Sequence, residues 1–128
     1  MGIDMWIREC ELEFNGSPGE LKQRWLARAL KGEAISFDYW KIDFENAIVT
    51  FADEGYWFRW NEKFVKELKF LAKLGFSGEV VIVDEYSEWR KFVLKEGRVL
   101  EFLGYVEFSE EPVSIYLEVC RRKFEFAI

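Results

Sequence analysis

Two amphipathic helical stretches, each punctuated at both ends and set among strand-patterned sequence, restrict this chain more than any other feature. In "NGSPGELKQRW" Ser17 stands as N-cap, Pro18 at the first helical position and Glu20 three residues after the cap, the spacing of a capping box. Leu21, Trp25, Leu26, Ala29 and Leu30 follow at helical spacing, and Gly32 is a stop. "NEKFVKELKFLAKLG" repeats the grammar: Asn61 caps, Phe64, Val65, Leu68, Leu71 and Ala72 make the apolar stripe, and Gly75 ends it. A helix with one apolar side needs a sheet or another helix to lie on.

The strands that could supply that sheet are readable from alternation. From Met5 to Phe14, Trp6, Arg8, Cys10, Leu12 and Phe14 share one parity, and Met5, Ile7, Glu9, Glu11 and Glu13 the other. This predicts a strand with one acidic face in water. "ISFDYWKIDF" (35–44) changes phase, which a bulge near Tyr39 and Trp40 reconciles. "ENAIVTFADEGYWFRW" reads as two short strands joined by a hairpin turn at 53–55, with Tyr56, Phe58 and Trp60 toward the core and Trp57 and Arg59 on the opposite side. After the second helix comes a meander: "GEVVIVDE", "WRKFVL" and "VLEFLGYVEF", separated by the turns "YSE" and "KEGR". Residues 113–126 satisfy a strand pattern through "VSIYLEV" and a helix pattern through Val113, Leu117, Cys120 and Phe124, and both readings stand.

The order β-α-β-β-α-β with further strands predicts one α+β domain over residues 1–128. It is a two-layer sandwich whose antiparallel-rich sheet carries both helices on one face, in the ferredoxin-like or split βαβ manner. The later strands complicate it. Val81, Val83, Val93, Leu100 and Phe102 leave both parities apolar, so the second face needs a cover, either the C-terminal segment or another subunit. The 13 Phe, 5 Tyr and 6 Trp exceed what a small core needs. The expected contact residues on the second face are Trp40 (or Tyr39, given the bulge), Trp57, Arg59, Trp89 and Tyr105, of the types that dominate protein contacts.

Charge and missing residue types exclude other classes. With 24 acids against 18 bases the net charge is −6, which disfavours nucleic-acid binding, and "CRRKF" (120–124) is the only dense basic run. No histidine occurs, and neither a CxxC, a GxSxG nor a phosphate-binding glycine pattern, so His-based relays and Cys/His metal sites are excluded and no cofactor is expected. Cys10 and Cys120 either pair or remain as free apolar thiols. "DEYSEWR" gathers Asp84, Glu85 and Glu88 in a turn; such carboxylates suit either a solvated turn or an alternative divalent-metal site with acid–base chemistry. No signal-peptide pattern and no apolar run of the ~20 residues that span a bilayer is present, which points to a cytoplasmic protein without membrane contact. One glutamine (Gln23) and three asparagines among many Glu and Lys suggest a hyperthermophile.

"GYWFRWNEKFVKELKFLAK" followed by "FSGEVVIVDEYSEWRKFVLKEGRVLE" resembles a loose set of small phage and mobile-element proteins over about half the chain. The resemblance implies an α+β fold and no agreed activity. The function expected from the residues is a protein-interaction module, a homodimer or a binder of another protein, with no catalytic residue assigned. A carboxylate or divalent-metal enzyme and, behind it, a single-strand nucleic-acid binder stacking bases on sheet aromatics are the alternatives.

Overall fold

The computed structural model describes residues 2–104; Tyr105 and the segment 113–126, with Cys120, lie outside the described residues. The elements in order are β1 (Asp4–Phe14), α1 (Pro18–Leu30), β2 (Trp40–Asp43), β3 (Ile48–Phe51), β4 (Trp57–Arg59), α2 (Lys63–Leu74), β5 (Phe76–Asp84), β6 (Trp89–Lys95) and β7 (Arg98–Gly104). Five strands form an antiparallel sheet in the order β4-β1-β5-β6-β7, while β2 and β3 pair as a separate hairpin. The fold is α+β, with both helices packed on the five-stranded sheet.

The helix punctuation works as its chemistry requires. Ser17 Oγ accepts the Glu20 N–H at 3.2 Å as its place at the N-cap requires. In α2 the N-cap position falls to Glu62, which makes no side-chain cap bond, and Asn61, one residue earlier, accepts the Lys63 N–H on Oδ1 at 2.9 Å. Gly75 ends α2 at φ +113°, the left-handed region glycine enters without a Cβ penalty. The helices differ in depth. In α2 Phe64, Leu68, Leu71, Ala72 and Leu74 are buried, whereas in α1 only Leu21 is, and Leu30 is 87% exposed.

Phe64 is the hub of the core. Its ring stacks on Phe58 at 4.4 Å and 7°, and Tyr39, Trp40, Trp60 and Phe92 close around it at 5.7–6.0 Å. Edge-to-face and offset arrangements of this kind add to the stabilisation from apolar burial.

Three expectations are corrected. The phase change of β1 sits at Arg8, where the pairing with β5 skips a residue between Ile7 and Glu9. That bulge moves Met5 and Ile7 onto the same face as Cys10, Leu12 and Phe14, which is why simple alternation misassigns them. The predicted strand over 35–44 narrows to Trp40–Asp43. The buried carboxylate of Glu67 on α2 takes the N–H groups of Asp38 (2.9 Å), Tyr39 (3.0 Å) and Trp40 (3.3 Å), so those donors serve a side chain rather than a strand ladder. Finally, 53–55 is no hairpin turn: β3 pairs with β2 and β4 with β1, so this turn carries the chain from one sheet to the other. Tyr56, at φ +55° just after it, is half exposed, Trp60 partly buried, and Phe58 alone of the three is fully buried.

Candidate functional site

Register assigns every strand residue to a face. Across the side away from the helices runs a row Trp57–Trp6–Val83–Trp89–Gly104 that touches all five strands. Below it lies Glu9–Val81–Lys91–Phe102, and then Glu11–Glu79–Val93–Leu100. Apolar residues therefore run along one end and through the β5–β7 half, where Glu79 and Lys91 interrupt them, and glutamates occupy the β1 half. Phe102 is 48% and Leu100 40% exposed, and the Lys91 ammonium lies 5.4 Å from the Phe102 ring centroid. Val81 and Val83 are buried yet stand outside the core cluster formed on the helix side.

The predicted contact residues separate on this map. Trp57 and Trp89 stand in one row, and Arg59 faces the same side opposite Asp4, with which it pairs at 3.3 Å. Trp40 does not belong there. It is 1% exposed, its ring 5.4 Å from Phe51 and 5.7 Å from Phe64. Tyr39 is no substitute, since its ring packs on Phe58 and Phe64. The reason is again Glu67, which draws residues 38–40 toward α2. Trp6, which belongs to the row, was missed; its position is legible only once the bulge is known.

β4 is one of the two edge strands of the sheet, and among the described residues its side away from β1 pairs with no strand and opens on a cleft of about 540 Å³. All three β4 residues line it on one side, and Asp38, Tyr39, Phe51, Ala52 and Asp53 form the rest. The Ile7 N–H donates to the Tyr56 carbonyl and the Trp60 N–H to the Ile3 carbonyl, each at 2.8 Å. Alternation along an antiparallel strand then turns the Phe58 N–H and C=O toward β1, and those of Trp57 and Arg59 toward the cleft. The carboxylate of Asp38 is held by Lys63 Nζ at 2.6 Å, a bond that raises the lysine's pKa, and Asp53 Oδ1 accepts the Gly55 N–H at 2.7 Å. Burial pushes up the Tyr39 hydroxyl pKa, with the Glu67 and Asp38 charges acting in the same direction.

The acidic turn is built of its own hydrogen bonds. Asp84 Oδ1 accepts the N–H groups of Tyr86 and Glu88, both at 2.8 Å; Glu85 Oε1 accepts the Asp4 N–H at 2.9 Å; Glu88 pairs with Arg90 at 3.2 Å. Among the described residues no group of three His, Cys, Asp or Glu side chains is placed to hold a metal ion. Cys10 has its thiol pKa pushed up to about 11 by burial and the neighbouring Glu11 charge, the opposite of an activated nucleophile. Among the described residues no helix is long and apolar enough to cross a membrane.

No protein-family model, curated protein or solved structure matches this chain.

Proposed function

We propose that this chain is a protein-interaction module that self-associates through the side of its sheet away from the helices. One observation carries the reading. Leu100 and Phe102, neighbours on β7, are 40% and 48% exposed, and Trp57 on the opposite edge strand is 38% exposed, on a face whose middle brings Trp6, Trp89 and the buried Val81 and Val83. Large apolar side chains left accessible on one sheet face support a contact surface there. The residue types are those that concentrate contact energy, the glutamates of β1 lie beside them, and Lys91 stands within the face between Val81 and Phe102. The ferredoxin-like description belongs to the same proposal: β1 between β4 and β5, antiparallel to both, supports it, with the β2–β3 hairpin displaced from the sheet. A cytoplasmic, hyperthermophilic setting is the context we attach to it.

Light scattering over a concentration series tests the reading. The expected result is a mass near twice 15.3 kDa, falling to the monomer value in Phe102→Glu with the folded state intact by circular dichroism. A wild-type mass that stays at 15.3 kDa throughout the series overturns self-association.

A further inference from the structure

We propose that the β4 edge is a docking site for an extended, basic segment of a partner polypeptide, which adds to the sheet as a strand. The backbone supplies the first argument. Trp57 and Arg59 each direct an N–H and a C=O away from β1, and their two-residue spacing is the pattern by which an added strand is held. Most sheet edges are blunted by a bulge, a proline or a covering element. Here, among the described residues, the edge instead faces the cleft of about 540 Å³.

The lining supplies the second. A residue opposite Phe58 would point toward Tyr39 and Phe51, an apolar and aromatic floor, while its neighbours on the strand point outward beside Trp57 and Arg59. The far wall carries the carboxylates of Asp38, which Lys63 Nζ meets at 2.6 Å, and Asp53, which has no ion pair among the described residues. The one cation among the described lining residues, Arg59, is met by Asp4. With a net charge of −6 behind it, this cleft attracts lysine or arginine flanking an apolar stretch. The same walls disfavour a second copy, which would bring its own Asp38 and Asp53 against these. The site shares Trp57 with the face proposed for self-association, but its edge hydrogen bonds and cleft lining lie at the opposite edge of the sheet from Leu100 and Phe102, and it does not depend on them.

The probe is a blocked octapeptide with lysine at both ends and alternating valine and threonine between, titrated into the full chain labelled with nitrogen-15. Saturation below about 1 mM is expected for so short an interface. On binding, amide exchange of Trp57 and Arg59 should slow, while Phe58, already bonded to β1, changes little. N-methylation of alternate peptide amides should abolish binding on one parity and spare it on the other, since each lost hydrogen bond weakens binding by about tenfold. Replacing the terminal lysines by glutamates should weaken it by at least about threefold. Absence of binding at 1 mM, shifts confined to Leu100 and Phe102, or equal binding of the glutamate peptide would each overturn the proposal. Slowing of the Trp57 and Arg59 amides with protein concentration alone would reassign the edge to a second copy. Repeating the titration on Phe102→Glu separates this outcome from any failure of the outer-face reading.

Discussion

The two sides of the same sheet are built on different principles. On the helix side, Phe64, Phe58, Phe92 and Trp40 interlock ring on ring, and the fully buried carboxylate of Glu67 is engaged by three backbone donors. On the other side, apolar rows lie beside Glu79 and Lys91, which pair across strands at 3.7 Å, and several large side chains stay accessible. A close-packed interior tolerates neither voids nor unpaired polar groups, whereas an accessible row gains little until something covers it. Stability should therefore reside on the first side and association on the second.

The sharpest way to break that contrast is to truncate both sides. Phe64→Ala should cost about 3–5 kcal/mol in chemical denaturation, because the hub of the ring cluster leaves a cavity. Phe102→Ala should stay within about 0.5 kcal/mol in the monomer. Equal costs would mean that the outer rows are already as tightly packed as the core. A smaller effect is expected for Glu67→Gln, which puts an amide NH₂ among the Asp38, Tyr39 and Trp40 N–H groups and removes the charge they bond. About 2 kcal/mol of stability should be lost, with Trp40 fluorescence reporting whether 38–40 leaves its seat.

The mildest test concerns pH. Cys10 lies on the helix side next to Leu12, and burial pushes its thiol pKa from the ordinary 9.0 up to about 11. The folded state thus retains a proton that the unfolded chain releases first, so stability falls as pH rises from about 9 to about 11. With discount for partial solvent access the loss is about 1–2 kcal/mol. Cys10→Ala should remove that increment from the alkaline limb of the stability profile, and an unchanged limb would show that the thiol ionises freely.

Much of the fold was legible locally. Ser17, Asn61 and Gly75 mark helix ends through hydrogen bonds to near neighbours, and the β5–β7 meander follows from alternation plus short turns. The candidate site was legible only in part. Trp57, Arg59 and Trp89 could be placed on one face by parity, but Trp40 could not be taken off it, because the residue that pulls it inward, Glu67, lies 27 positions away. The role of Asp38 and Asp53 beside β4 was hidden for a similar reason: 53–55 looks like a hairpin turn and acts as a crossing between sheets.

What this chain's sequence determined by itself is the α+β character, the two helices and the two-sided apolar character of the later strands, since caps, stops and periodicity depend on residues within one or two turns of each other. Only tertiary structure decided which strands pair, where β1 bulges, which rings are buried and which edge is left open. Those outcomes depend on contacts between distant segments competing for the same backbone donors and the same volume, and no local pattern records who wins.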